Sequence, residues 1–194
     1  MSQKIVFLDR DGVVNKYPGD REYVLSKETL EVFPFVKESI RKLKDAGFLV
    51  YIVSNQACVS KGLISAEQLK DITRYLLSSI EQEERLIDGV YYCIHREEDN
   101  CPCRKPSPGL INHILDSLSF DRNSSDCRLF FIGDSIRDIK TARNISIPGI
   151  LVLSGRESHE NRNSWEVEPD HIFGDLREAA DFIVTHIATI ETQN

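Results

Sequence analysis

An α/β fold built on a parallel sheet covered on both faces is what this chain predicts. Two observations carry that expectation. Short apolar runs without alternation recur along the chain, as strands buried on both sides require, and segments with apolar residues at helical spacing separate them. A third observation concerns function. The polar, short-side-chain motifs follow those apolar runs, at the edge where open sheets of this kind collect ligands.

Ile5–Leu8 reads as the first strand. Val36, Ile40 and Leu43 mark a helix over about residues 34–46, stopped by Gly47. Phe48–Val53 is the second strand, and Ser65 with Gln68 forms a capping-box pattern before a helix carrying Leu69, Ile72, Leu76, Leu77 and Ile80. Val90–Cys93 is the third strand. Ser107 suits an N-cap with Pro108 at the first helical position, continued by Leu110, Ile111, Ile114, Leu115 and Leu118. Leu129–Ile132 is the fourth strand, Ser135–Asn144 a short helix and Gly149–Leu153 the fifth strand. Ser154–Pro169, which includes Trp165, is polar and reads as loop; a short strand at His171–Phe173 and a last helix from about Leu176 follow. No linker, repeat or low-complexity tract divides the 194 residues, so a single domain over 1–194 is expected.

Acidic residues outnumber basic ones by 31 to 24, and a net charge of −7 disfavours a nucleic-acid partner, because phosphate backbones select basic surfaces. A small anionic ligand held by a local cluster of Arg and Lys is still compatible with that charge. No apolar run approaches bilayer length, and Met1-Ser2-Gln3-Lys4 leads straight into a strand with no room for a signal peptide. No membrane association is therefore expected. Five cysteines in such a chain fit a reducing compartment, and a cytoplasmic monomer is the expectation.

Asp9 and Asp11 stand at the end of the first strand, with Gly12 permitting a tight turn. Carboxylates that close repel unless a cation or a shared proton offsets them, so the pair points to bound Mg²⁺, acid–base work, or both; an acidic Asx turn is the plain alternative. After the fourth strand, Asp134 at the tip and Asp138 in the next helical turn would add two carboxylates to an oxygen-ligand shell. Ser54, Asn55 and Gln56 follow the second strand and offer uncharged donors to phosphate oxygens, or simply cap a turn. Cys93, His95, Cys101 and Cys103 supply three thiolates and an imidazole, matching a closed tetrahedral Zn²⁺ site that braces a loop. Arg104 and Lys105 come next. Lys105 offers a point charge for phosphate and Arg104 a fork for a further anionic or polar group.

These blocks, in this order, resemble the haloacid dehalogenase superfamily of phosphotransferases over nearly the whole chain up to about Gly155. Within it, Asp9-Arg10-Asp11-Gly12-Val13-Val14-Asn15, Ser54-Asn55-Gln56, Tyr91-Tyr92-Cys93 and the run Cys103–Gly109 are similar to the subgroup of heptose 1,7-bisphosphate phosphatases and histidinol-phosphatase domains. The resemblance implies a three-layer, Rossmann-like α/β/α fold with strand order 3-2-1-4-5. It implies Asp9 as nucleophile, Asp11 as general acid and base, and Ser54 and Lys105 as the groups that orient the phosphoryl group. Mg²⁺ would be held by Asp9, the Asp11 carbonyl and Asp134, with Asp138 supporting from behind. Asn15, Asn55, Gln56 and Arg104 would contact substrate.

The implied activity is Mg²⁺-dependent hydrolysis of a sugar phosphate through an aspartyl-phosphate, with heptose 1,7-bisphosphate the leading substrate and histidinol phosphate the alternative. A third possibility is a zinc-stabilised binding module without activity. The chain departs from the subgroup around the expected pocket. Only five residues separate His95 from Cys101, as in the histidinol-phosphatase domain and unlike the longer insertion usual in the heptose enzymes. The stretch Ala57–Gly62 differs from the usual heptose pattern, Ser135 replaces a basic residue usual in both groups, and residues 17–22 add length to the first loop. The segments between motifs are too short for a separate cap domain.

Overall fold

Residues 4–82, 84–121 and 127–191 are described by the computed structural model, so the expectation placed on residues 1–3 lies outside the described residues. Its strands are β1 (Lys4–Leu8), β2 (Phe48–Asn55), β3 (Gly89–Cys93), β4 (Arg128–Gly133), β5 (Gly149–Val152) and β6 (His171–Phe173). Every pairing is parallel and the order is β3-β2-β1-β4-β5-β6, the expected five strands with β6 added at one edge. The order reverses between β1 and β4.

Burial on both faces follows the strand period. Val6 and Leu8 join one apolar cluster with α1 (Val36–Asp45), α2 (Ala66–Ile80) and α5 (Leu176–Glu191), while Ile5 and Phe7 join another with α3 (Gly109–Ser117). Helix α4 (Ile136–Asn144) packs beside α3 through Ala142 and against β5 through Ile139. All four β1 side chains from Ile5 to Leu8 are fully buried. Each such burial stabilises by roughly 1.5–3 kcal/mol, which makes β1 the anchored axis of the molecule.

Three boundaries differ from expectation. β2 runs on to Asn55, because Ser54 and Asn55 pair with Tyr92 and Cys93 although their side chains are polar. At α3 the cap is Pro108, with no side-chain cap bond, and Ser107 does not serve. The Gly109 amide instead donates to the Pro102 carbonyl at 2.9 Å, and a Cβ at Gly109 would collide with that carbonyl. Finally, Ser154–Pro169 is not simply loop. A 3₁₀ turn over His159–Ser164 opens on a capping box between Ser158 and Asn161. Behind it the buried Glu157 carboxylate accepts from Trp165 Nε1 at 2.9 Å and Asn161 Nδ2 at 2.8 Å, and Trp165 packs on Ile136, Ile139 and Leu151. No local apolar period announces these contacts, because the partners come from α4 and β5.

Candidate active site

β1 and β4 are neighbours, with Leu8 opposite Ile132, and the Asp9 amide donates to the Ile132 carbonyl at 2.9 Å. Asp9 and Asp134 therefore leave adjacent strand tips. Asp138 reaches the same point from the first turn of α4, and one carboxylate oxygen from each of the three lies within 4.8 Å of the others. Gly12, at φ +81°, makes the turn that brings the β1 loop against Asp134; any Cβ there would overlap the Asp134 carboxylate.

Two like charges about 4 Å apart repel by roughly 4 kcal/mol at an effective dielectric of about 20. Among the described residues the one cationic side chain paired with this group is Lys105, itself 3% exposed. Its Nζ lies 3.0 Å from Asp9 Oδ1 and 2.6 Å from Asp138 Oδ1. One ammonium cannot balance three carboxylates. Burial accordingly raises Asp9 to about 6, against the opposing pull of Lys105, and the charge of Asp138 adds to the rise. Asp134 is pushed well above the usual carboxylate range by burial and then by Asp9 and Asp138. For Lys105 burial acts downward, but Asp138 and Asp9 outweigh it and hold the ammonium charged. A nearly dry cluster of oxygen donors with surplus negative charge fits a hard divalent cation.

Asp11 points elsewhere. Its Oδ1 accepts from Arg10 Nε at 3.1 Å, Arg10 Nη2 at 2.9 Å and Asn15 Nδ2 at 2.9 Å. Its Oδ2 accepts from Arg10 Nη2 at 3.0 Å and Gln56 Nε2 at 3.0 Å. Arg10 is completely buried, its guanidinium 5.7 Å from the centre of the Tyr92 ring. Sequence reasoning passed over Arg10, since an arginine between two aspartates reads as solvated and its burial depends on the distant Tyr92. Asn15 and Gln56, expected on the substrate, are likewise fully buried and lie outside the cavity lining. Their amides donate to Asp11 and hold it in place.

Ser54 is 2% exposed, its Oγ accepts from Gln56 Nε2 at 3.2 Å, and it pulls Asp9 downward against the rise from burial. Asn55 donates from Nδ2 to the Lys105 carbonyl at 3.0 Å and accepts from the Lys105 amide at 3.1 Å. That carboxamide is committed to the Lys105 backbone, although Asn55 still lines the cavity.

Cys93, His95, Cys101 and Cys103 converge, with their ligand atoms within 4.8 Å of one another. His95 Nδ1 lies 3.4 Å from Cys103 Sγ and 3.6 Å from Cys93 Sγ, and all three thiols are free. Burial and the adjacent thiols push the Cys103 thiol up, whereas a hydrogen bond from Cys103 lowers Cys101. Three sulfurs and an imidazole nitrogen form a donor set suited to zinc. The loop is tied down further: Arg104 Nη1 donates to the His95 carbonyl at 3.2 Å, and the Arg96 guanidinium donates to the Ser60 carbonyl at 3.0 and 2.7 Å.

Above the strand tips opens a cavity of about 310 Å³, floored by Asp9, Asp11, Ser54, Lys105, Asp134 and Asp138 and walled in part by Tyr17, Glu22, Lys61, Arg104, Arg137 and Arg156. Tyr17 donates to Asp20 at 2.7 Å and Arg156 Nε pairs with Asp20 at 3.5 Å, which closes one wall. Arg137 and Arg156 were absent from the sequence-derived candidates, because neither belongs to a motif. No described helix is long and apolar enough to cross a membrane.

Residues 102–179 match the family described as HAD-hydrolase-like. A D-glycero-D-manno-heptose-1,7-bisphosphate 7-phosphatase from Chlorobaculum tepidum is 30% identical over 190 residues, covering 92% of each chain. A D-glycero-beta-D-manno-heptose-1,7-bisphosphate 7-phosphatase from Helicobacter pylori is 33% identical over 84% of this chain and 90% of its own. Among solved structures, a D,D-heptose 1,7-bisphosphate phosphatase from B. bronchiseptica, complexed with magnesium and phosphate, aligns with a TM-score of 0.83 and 27% identity over 95% of this chain and 99% of its own. With its carboxylate cluster at the β1 and β4 tips and relatives matched along almost their full length, the chain belongs to the haloacid-dehalogenase-like hydrolases, among their phosphatases.

Proposed function

We propose that this phosphatase removes the 7-phosphate of D-glycero-D-manno-heptose 1,7-bisphosphate, acting as one domain with Mg²⁺ at the Asp9–Asp134 cluster and structural Zn²⁺ in the cysteine loop. The observation that carries the reading is the meeting of Asp9, Asp134, Asp138 and Lys105 at one sheet edge. The names of the relatives supply the sugar.

In this reading an Asp9 oxygen attacks phosphorus, forming an aspartyl-phosphate as the bond to the sugar oxygen breaks. Asp9, Asp134 and the Asp11 carbonyl would hold Mg²⁺, which supplies charge for the attacking carboxylate and the phosphoryl oxygens. Ser54 and Lys105 hold two phosphoryl oxygens; Lys105 exchanges part of its contact with Asp9 for the incoming anion. Asp11 passes a proton to the departing alkoxide and later takes one from the water that opens the aspartyl-phosphate. The donors around Asp11 keep that carboxyl aimed between the two tasks. Asp138 anchors Lys105 throughout, and Asn55 fixes the Lys105 backbone.

Phosphate release from heptose 1,7-bisphosphate and from histidinol phosphate, measured side by side with Mg²⁺, tests the substrate. The heptose compound is expected to be the better by far; preference for histidinol phosphate overturns it. Asp9→Asn should lower turnover by at least about 10³-fold while leaving the fold intact. Retained activity would remove Asp9 from the role of nucleophile.

A further inference from the structure

A second cavity of about 250 Å³ lies beside the first, between the cysteine loop and the start of α4. Glu97, Arg104, Lys105 and Arg137 line both. Lys105 is committed to Asp9 and Asp138. Arg104 gives one N–H to the His95 carbonyl and forms no ion pair among the described residues. Arg137 is half-buried, and its guanidinium has neither an ion pair nor a hydrogen bond among the described residues. Other arginines of the molecule are matched: Arg10 with Asp11, Arg156 with Asp20, Arg143 with Asp170.

A guanidinium keeps its charge under all ordinary conditions, so shielding it partly from water without a partner is unfavourable unless a ligand supplies the anion. The one acidic side chain on the shared wall, Glu97, sits on an exposed turn where water screens it. The planar forks of Arg104 and Arg137 suit the paired oxygens of a phosphate. Lys105 borders both cavities, so this second space begins one side chain away from where phosphorus is attacked.

We infer that Arg137 joins Arg104, already expected on substrate, in a second anion subsite, which takes the phosphate that is not cleaved from a bisphosphate substrate. The inference rests on the bisphosphatase reading above and names Arg137 as its specificity-determining residue. Because the wall is built from the cysteine loop on one side and α4 on the other, binding of the spared phosphate also orients the reacting end over Asp9.

The test compares wild type with Arg137→Gln on heptose 1,7-bisphosphate and on 4-nitrophenyl phosphate, both with Mg²⁺. The ratio of kcat/KM for the bisphosphate to that for the aryl ester should fall about 10–100-fold, mainly through KM, as loss of a charge-assisted contact requires. Arg137→Lys, which keeps the charge without the fork, should retain part of the ratio and serves if the glutamine variant folds poorly. An unchanged ratio, or equal losses on both substrates, overturns the subsite. A wild-type enzyme without preference for the bisphosphate overturns the function reading as well, whereas a wild-type preference that survives in Arg137→Gln overturns the subsite alone.

Discussion

At the strand tips Asp9, Ser54, Lys105, Asp134 and Asp138 are buried or nearly so, and each is held by the ladder, by a charge partner or by a carboxamide. The walls above them are different. Lys61 and Arg156 are exposed and Tyr17–Tyr23 partly so, and their side-chain hydrogen bonds and ion pairs are with one another, although the Arg156 amide reaches Asp134 at 2.8 Å. The floor is located by strand register, which tolerates little displacement; the walls are located by loops, which vary in length without disturbing the sheet. On the proposed function, the chemistry would reside in the part the fold holds rigid, and choice of substrate in the walls around it.

That division is open to direct attack. The largest expected effect is at the floor. Lys105→Met removes the ammonium paired with Asp9 and Asp138, and kcat toward 4-nitrophenyl phosphate should fall roughly 10²–10³-fold. Arg156→Gln on the wall should cost under about tenfold in the same assay. Comparable losses from the two would erase the distinction.

An intermediate effect is expected at the cysteine loop, which bridges the regions because it delivers Lys105 to the floor and Arg104 to the wall. Protein purified without chelator should carry close to one zinc per chain, and Cys101→Ser should lose it together with about tenfold of kcat/KM. Zinc retained at full stoichiometry in that variant would place the metal elsewhere.

The smallest effect concerns protons. Asp9 has an ordinary value of 3.8 and sits at about 6 in the fold. A carboxyl raised on folding contributes stability that is present below its unfolded value and lost as pH climbs through the folded one. Metal-free protein should thus lose stability through Asp9 between about pH 4 and about pH 6, with Asp134 acting in the same direction. A divalent cation reverses that penalty but competes with the protons. Mg²⁺ should therefore raise Tm more at about pH 7.5 than at about pH 5, by roughly 2–4 °C, as differential scanning fluorimetry can read. Equal shifts would detach the cation from these carboxylates.

Much of the framework was legible from residue order. The alternation of runs announced the sheet, and Ser65 with Gln68 forms both bonds of its capping box, at 3.1 and 2.8 Å. The meeting of Asp9 with Asp134 follows from β1 lying beside β4, an order the motifs implied. What escaped depends on the direction a side chain takes in space. Asn15 and Gln56 looked like ligands for substrate because amides at a strand end face outward as often as inward. Their direction is decided by the Asp11 carboxylate and the buried Arg10 guanidinium, and no local period encodes it. Arg137 and Trp165 were opaque for the same reason: one gains its setting from the cysteine loop, the other from α4 and β5.

The guanidinium beneath Asp11 carries a last implication. Tyr92, whose ring it approaches, belongs to β3, and its hydroxyl takes a hydrogen bond from Thr73 on α2 at 3.1 Å. The group proposed to shuttle protons is thus moored, through Arg10 and Tyr92, to side chains of the interior. Exchanges at Tyr92 or Thr73, which an inspection of the mouth of the site would dismiss as remote, are changes to the catalyst.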